Sequence, residues 1–289
     1  MDRIRRSIAG QVHALIGSRS GEIDRDRVAG DQGLFGPSSV TWRVHGDFTT
    51  MMIGGLSALL LQMLHPRVLA GVWDHSNFRE DPLGRLRRTA QFVSGTTYGS
   101  TRQALALIEQ INAIHDRVRG HLPDGTPYHA RDPDLLTWVH VTSATSFLRA
   151  YVRYRDPLLP FADQDKYLAE MSEIAHRLGA ENVPTSLRQC ELYFEATRPQ
   201  LKVDGRTREV AHALLSPRPS RLGPRLFRTM SSKAAIDLLP HWAARMHRLS
   251  VQGPERLLVR SSAQGAQVLL HWALRDRTAR RAMEESTAS

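Results

Sequence analysis

Two residues that could do chemistry stand four positions apart near the middle of the chain, His115 and Arg119. Apolar residues at helical spacing around them predict a helix from Arg102 to Arg119, closed by Gly120. On such a helix the two side chains share one face, about one turn apart. The imidazole could then bind an iron while the guanidinium pairs with a carboxylate, or both could cap the last carbonyls against the helix dipole. Taken alone, the pair favours the capping interpretation.

A second pair with the same spacing, Arg85 and Thr89, lies in the segment GRLRRTA at 84–90. On a helix predicted from Leu83 to Tyr98 these side chains also share a face. An arginine with a hydroxyl beside it would add a polar lining to an otherwise apolar pocket. Any solvent-facing helix can show the same arginine-rich pattern, so this motif alone leaves both interpretations open.

Two histidines occur in strongly apolar surroundings. His140 lies in the run LLTWVHVTSATSF, and His65 precedes Pro66, where the proline should bend or restart a helix. A buried neutral histidine needs partners for both ring nitrogens. Each is therefore either bonded to a neighbouring helix or directed at a cofactor or substrate.

The elements that must position these residues are helices. Between Thr50 and Leu215, apolar residues recur at helical spacing, and Pro and Gly signals separate the segments without strand-like alternation. One segment begins with Asp132 as its N-cap and Pro133 in its first turn. The predicted segments are about 51–71, 83–98, 102–119, 132–154, 163–178, 186–197 and 204–215. The fold class predicted is therefore all-α, a bundle of many helices.

Composition and charge argue against several classes of function. The chain has 39 Lys and Arg against 29 Asp and Glu, a net charge of +10. Only three of the 39 are Lys, the acids are interspersed, and no ribbon of aromatic and basic residues for single strands appears. Nucleic acid is therefore not an expected partner. Neither a glycine-rich dinucleotide motif nor a P-loop occurs in the sequence.

Features that bear on location favour the cytoplasm. The single cysteine, Cys190, cannot form an internal disulfide, and residues 1–16 lack the apolar core of a signal sequence. The apolar stretch Met51–Leu64 spans 14 residues, whereas a bilayer needs about 20, so it is predicted to be a buried core helix. The opening segment places arginines beside an apolar face, which leaves peripheral contact with an anionic membrane as an alternative to packing on the domain.

A Pro- and Arg-rich loop at 216–226 is the best candidate boundary along the chain. After it, Trp242 and Trp272 are the expected packing anchors of a set of C-terminal helices. The predicted organisation is an amphipathic N-terminal segment at 1–34, a helical core at 35–215, C-terminal helices packed on that core at 227–280, and a disordered tail at 281–289.

Other metal and nucleophile chemistries have weaker signals. A ferritin-like di-iron site needs two Glu-x-x-His motifs on facing helices, and Glu173-x-x-His176 has no counterpart in the sequence. No His-Glu-x-x-His zinc motif and no Gly-x-Ser-x-Gly nucleophile elbow is present. Cys190 has no evident base beside it and is expected to be core packing.

An ordered set of motifs carries a family resemblance over residues 35–215. The set comprises Trp42, Gly54-Gly55, Leu60-Leu61-Gln62-x-x-His65-Pro66, His75-Ser76-x-Phe78, Arg85-x-x-x-Thr89, Ile114-His115-x-x-Val118-x-Gly120, Tyr128-x-Ala130 and Trp138-Val139-His140. In order and spacing it resembles the MpaB-type oxygenase family, to which the latex-clearing rubber oxygenases belong.

The resemblance implies a globin-like, all-helical haem fold that holds a b-type haem. It implies that His115 is the proximal iron ligand and that Arg119 supports it. It also implies that Arg85 and Thr89 lie near the haem, where they become candidates for catalysis and cofactor binding. His140 is a further catalytic candidate and His65 a further cofactor-binding one. The implied partners are a small apolar organic substrate and O₂ or peroxide.

The chain departs from the rubber oxygenases at two positions. Arg88 stands where those enzymes have a lysine that can close the distal side of the iron, and an arginine has no free lone pair to do so. Asn112 stands where they have an extra histidine, and their active-site glutamate has no placed counterpart. Rubber cleavage is therefore not carried over. The expected function is a haem-dependent oxygenase or related redox enzyme, and the alternatives are a non-enzymatic haem-binding or sensor protein and, behind it, the di-iron oxidase.

Overall fold

The computed structural model describes residues 30–78, 81–216, 222–262 and 265. Within them the helices, in chain order, are α1 (Val40–His45), α2 (Phe48–Gln62), α3 (Pro66–His75), α4 (Pro82–Tyr98), α5 (Thr101–His115), α6 (Pro133–Tyr154), α7 (Phe161–Leu178), α8 (Leu187–Thr197), α9 (Gly205–Leu215), α10 (Leu222–Leu238) and α11 (His241–His247). A 3₁₀ turn, Arg198–Gln200, follows α8, and residues 253–262 are helical. The all-α class is thus confirmed, apart from one short hairpin. Residues 1–29 of the predicted N-terminal segment lie outside the described residues. Trp272 and the predicted tail lie outside them as well.

Helix boundaries follow the local capping chemistry closely. Ser100 and Gln103 form a reciprocal capping box at the start of α5. Gly179 ends α7 with a φ of +98°, a left-handed conformation that glycine adopts without strain. Asp132 precedes α6 as predicted, but its carboxylate caps no backbone amide and instead accepts a hydrogen bond from Arg67 Nη1 at 2.8 Å. The predicted N-cap position of Asp132 and the proline in the first turn are therefore confirmed, without the side-chain hydrogen bond usual at an N-cap.

The chain turns sharply between α2 and α3, where Pro66 restarts the helix as predicted. The two helices are bent by 107°. Most residues in the second half of α2 are buried, which confirms the expectation of a core helix for the apolar stretch 51–64. In the described part of the chain no single helix is long and apolar enough to cross a membrane, and α2 and α3 meet that test only as a bent pair, by length and composition alone.

A two-stranded hairpin after α5 is the main departure from the predicted elements. The predicted helix does not reach Arg119, because α5 ends at His115 and Arg119 opens strand β1 (Arg119–His121). This strand pairs antiparallel with β2 (Pro127–His129). Gly120 does not stop a helix but lies in β1 opposite Tyr128, where a Cβ would come within 2.5 Å of the tyrosine hydroxyl. The helical prediction at Arg119 and Gly120 is therefore wrong.

The centre of the molecule is the contact between α2 and α6. A Cβ added at Gly54 would lie 2.9 Å from both the Cα of Phe147 and the carbonyl oxygen of Ser146, so the two backbones meet directly there. Trp138 of α6 is fully buried, and its indole donates a hydrogen bond to the carbonyl of Gln62 at 3.3 Å. These contacts fix α6 along the whole of α2.

Two buried polar networks fasten other helices to this pair. His45 of α1 has hydrogen bonds to Thr97 Oγ1 at 2.8 Å and Tyr167 Oη at 2.9 Å, and burial lowers the pKa of its imidazole from 6.5 to about 3. In the C-terminal part, the carboxylate of Asp237 is 1% exposed and pairs with arginines of α6 and of the 253–262 helix, namely Arg153, Arg256 and Arg260. The buried side chains of His45 and Asp237 therefore both have polar partners.

The Gly54 contact yields a prediction with a matched control. Gly54→Ala is expected to lower the free energy of unfolding by about 1–3 kcal/mol, since the added methyl forces two packed backbones apart. In Gly55→Ala the new Cβ would lie 3.7 Å from the Phe147 ring, an ordinary contact. That variant is expected to be neutral or stabilised by up to about 1 kcal/mol through helix propensity. Chemical denaturation of both variants measures the difference, and equal stabilities would contradict the direct backbone contact.

Candidate functional site

His115 is the last residue of α5 and lies half-buried at the junction with the hairpin. Burial, followed by the charge of Arg131, lowers the pKa of its imidazole below 6.5. The ring is therefore neutral at neutral pH, as a metal ligand must be. Its Nδ1 is buried and has no hydrogen-bond partner among the described residues. The capping interpretation, in which this ring bonds the last carbonyls through Nδ1, has no support in these contacts.

Backbone and side-chain contacts from the hairpin hold the end of α5 in place. The amide of Ala130 donates to the carbonyl of Val118 at 2.9 Å, which closes the base of the hairpin. His129 Nε2 is 3.4 Å from the carbonyl of Asp116, and Arg131 Nε is 3.4 Å from its carboxylate. The position of His115 therefore depends on the hairpin that follows it.

The hairpin is fastened in turn to α3 by Tyr128. Its hydroxyl donates to Asp74 Oδ2 at 2.6 Å, and burial together with this hydrogen bond raises the pKa of Tyr128 to about 12. His75 lies beside them, with its Nε2 3.2 Å from the carbonyl of Arg119. The Arg119 side chain itself is exposed and lies on a strand, so the structure does not bring it beside His115 on one helical face.

Arg85 of α4 faces a small apolar cavity. The volume of the cavity is about 20 Å³, room for one water molecule. Burial, then the neighbouring charge of Arg88, lowers the pKa of Arg85 from 12.5 to about 10, so the guanidinium stays charged at neutral pH. No acidic side chain among the described residues pairs with it. The cavity is otherwise lined by Leu59, Met63, Val72, Phe78, Val210, Ala213 and Leu214.

A half-buried guanidinium without an ion pair in the described part of the chain is costly, and a bound anion would offset that cost. Arg88 and Thr89 lie on the exposed side of the same helix. Arg88 is 4.0 Å from the carboxylate of Asp81, and Thr89 Oγ1 donates to the carbonyl of Arg85 at 3.2 Å. Of these three residues, Arg85 alone lines the apolar cavity.

His65 and His140 are both neutral at neutral pH. Burial is the main cause for each, and it lowers both pKa values from 6.5 to about 4. His65 precedes α3, 6.1 Å from the ring of Trp138, and its Nδ1 is buried without a partner in the described residues. His140 lies on α6, where the charge of His176 lowers its pKa further. No described contact joins either ring to His115.

Helices α4 and α5 are packed more loosely than the scaffold around them. From Arg85 to Ser94, no described side chain of α4 is fully buried. On α5 only Ala104 and Ile108 are buried, and Ile114 is 48% exposed. Helix α5, which ends at His115, is therefore the part of this region whose displacement costs the least free energy.

The donor set can be compared with what different metal centres need. No three His, Cys, Asp or Glu side chains come together in the described ranges to hold a metal ion. A di-iron site needs several carboxylates, whereas Glu173 here pairs with Arg177 and His176 bonds the carbonyl of Ala180. A haem needs one axial imidazole, because the porphyrin supplies four nitrogens, and a cation for its propionates. His115 and Arg85 have that chemistry.

The sequence did not predict the hairpin or the contacts that fix it. Tyr128 belongs to the ordered family motifs, but its contact with Asp74 and that of Arg131 with Asp116 join separate elements, so no local pattern predicts them. The turn did have a signal. Pro123-Asp124-Gly125 is a strong turn sequence, and Gly125 has a φ of +85°. A turn at this tripeptide predicts a strand on either side of it, and a strand before the turn requires α5 to end before Arg119.

An all-helical scaffold with neutral, partly or fully buried imidazoles and an apolar cavity lined by one arginine is typical of helical proteins that bind a ligand or cofactor. Within that class, the family described as ER-bound oxygenase mpaB/B'/Rubber oxygenase, catalytic domain, matches residues 42–281. The chain therefore belongs to this family of oxygenase catalytic domains. Membership supports an enzyme that catalyses an oxidative reaction. No curated protein and no solved structure matches the chain.

The hairpin anchor gives a prediction about local stability. Tyr128→Phe removes the hydrogen bond to Asp74 and is expected to lower the free energy of unfolding by about 1 kcal/mol, because exposed Asp74 regains water. Hydrogen exchange of the amides at 119–121 and 127–129 should accelerate. Tyr193→Phe is the control, since it removes a tyrosine hydroxyl that lies 3.5 Å from the carbonyl of Asp134 on α6, away from the hairpin. Equal exchange at the hairpin in both variants would contradict the anchoring role.

Proposed function

We propose that the protein is a haem b-dependent oxygenase whose iron is held by His115. The observation that carries this proposal is the state of that imidazole. It is neutral, half-buried and without a hydrogen-bond partner for Nδ1 among the described residues, at the end of a loosely packed helix. Membership in an oxygenase family supports the reaction class, and the motif that contains His115 supports the ligand.

Arg85 is the proposed partner of a haem propionate. Its charge lies beside apolar groups with no acidic side chain described near it, and a planar guanidinium pairs with a carboxylate through two parallel hydrogen bonds. The cavity beside Arg85 holds about one water molecule and is too small for a porphyrin. The porphyrin would therefore displace α4 or α5 and lie between these helices and the scaffold formed by α2 and α6. The scarcity of buried side chains on these two helices supports that route.

The haem would supply the activation of O₂ or peroxide, while the protein determines access and polarity. Arg88 is proposed to leave the distal side of the iron open, because a guanidinium has no lone pair to donate. Thr89 and His140 remain the proposed polar groups on that side. His65, neutral and buried, is proposed to line the cofactor site without binding the iron.

The proposed substrate is a small apolar organic molecule. The other residues that line the cavity beside Arg85 are apolar. A polar substrate would lose hydrogen bonds with water there and gain few in return, which disfavours its binding. A non-enzymatic haem binder would use the same iron ligand, but the oxygenase family favours an enzyme.

The test is haem retention by histidine variants expressed with a haem precursor. His115→Ala is expected to lose the Soret band after purification while helical circular dichroism stays unchanged, since the iron bond is lost and the scaffold is not touched. His65→Ala and His140→Ala are expected to retain haem. Arg119→Ala should reduce retention less than His115→Ala, because its side chain is exposed on β1.

Two results would contradict the proposal. If wild-type protein shows no Soret band after expression or after reconstitution with haemin, the cofactor is wrong. If His115→Ala keeps full occupancy while His65→Ala or His140→Ala loses it, the ligand is wrong. A ferric spectrum that changes on addition of cyanide or peroxide is expected for an open sixth position, and an unreactive low-spin spectrum would favour the non-enzymatic binder.

A further inference from the structure

Two buried polar atoms on α5 have no hydrogen-bond partner among the described residues. They are Oδ1 of Asn112 and Nδ1 of His115. Residues three apart on a helix are neighbours on its surface. Both residues are within the regular helix, which continues to His115. The spacing thus places an unsatisfied acceptor and an unsatisfied ring nitrogen on the same side of α5, although no hydrogen bond joins them in this conformation.

The orientation of the Asn112 amide is fixed by α7. Its Nδ2 donates to the carbonyl of Arg177 at 3.2 Å. The amide nitrogen is therefore used, and the remaining polar atom, Oδ1, can only accept. The neutral imidazole of His115 has one N–H, on either Nδ1 or Nε2. An acceptor beside Nδ1 favours the proton there and leaves the lone pair on Nε2.

We infer that Asn112 is a positioning residue for His115: its Oδ1 accepts the Nδ1–H of the imidazole, selects the tautomer and directs Nε2 toward the iron. A rotation of the His115 ring that brings Nδ1–H to Oδ1 would make this bond and satisfy both atoms, while the Asn112 amide keeps its contact with Arg177. In haem and zinc sites such a partner of the second ring nitrogen orients the ligand and raises its basicity. The effect of Asn112 on the tautomer of His115 does not depend on haem. Its effect at the iron rests on the function proposed above.

The first test uses the haem-free full-length chain. Protein labelled with ¹⁵N-histidine is studied by NMR at neutral pH, where His115 is uncharged, and His115→Gln identifies the resonance. The Nδ1–H tautomer is expected to dominate in wild type. Asn112→Leu should shift the population toward Nε2–H, whereas Asn112→Asp, which keeps an acceptor, should retain Nδ1–H. A wild-type ring mainly in the Nε2–H form, or an unchanged ratio in Asn112→Leu, would overturn the inference.

The second test uses the haem-loaded protein and a signal that a purely structural role would not move. The Fe–His stretching frequency of the ferrous form is expected to fall in Asn112→Leu and to rise in Asn112→Asp, because the imidazole becomes a weaker or stronger donor. Haem affinity of Asn112→Leu should fall roughly 10-fold. Gln110→Leu, an apolar replacement at an exposed position of the same helix, should leave both unchanged.

The outcomes separate this inference from the proposed function. Both Asn112→Leu and Asn112→Asp lose the contact with Arg177. If the Fe–His stretching frequency shifts in the same direction in both variants, that lost contact is responsible and the inference is overturned. An unchanged stretch in a protein whose haem depends on His115 would do the same while leaving the proposed function intact. Haem that does not depend on His115 would overturn the proposed function and the role of Asn112 at iron, and the NMR result would stand by itself.

Discussion

At Gly54 the backbone of α2 comes so close to α6 that a single methyl group does not fit between them. This contact makes α2 and α6 the rigid centre of the molecule. His45 and Asp237 then fasten further helices to that centre through buried polar networks, one of which includes Thr97 near the end of α4. By contrast, α5 and the Arg85–Ser94 part of α4 bury few of their described side chains. The fold therefore combines a scaffold whose displacement is costly with a more loosely packed segment, and α5 in that segment carries His115.

Two of the unsatisfied buried polar atoms lie on this looser side, on α5. Nδ1 of His115 and Oδ1 of Asn112 have no partner in the described residues, the guanidinium of Arg85 has no ion pair there, and each group costs free energy while it remains so. Proteins retain such costs where a ligand or a reaction needs the group. A haem whose iron takes the imidazole and whose propionate takes the arginine satisfies two of the three. The asparagine is then left to bond the second nitrogen of the imidazole.

Much of the fold could be predicted from the sequence, because helix boundaries are set by local chemistry. Pro66 restarts a helix and Gly179 ends one at positions that the residue types alone indicate. The site was less predictable, since its geometry depends on contacts between distant segments. Arg119 has helical spacing from His115, yet the pairing of β1 with β2 overrides that spacing and moves its side chain away. Asp74 on α3 and the pair Tyr128 and Arg131 at the hairpin hold the end of α5 from two separate places in the chain, and no local pattern predicts these contacts. The ordered family motifs indicated His115 where spacing alone favoured a cap.

Hydrogen exchange of the protein with and without haem tests the central claim most directly, namely that the cofactor enters at the α4–α5 side and is bound at His115. Apo protein and protein saturated with haemin are compared peptide by peptide by mass spectrometry. Protection gained on haem binding is expected in residues 82–115 and in the 119–129 hairpin, with α2 and α6 already protected in both states. No uptake of haemin, or protection confined to segments away from α4, α5 and the hairpin, would contradict the account.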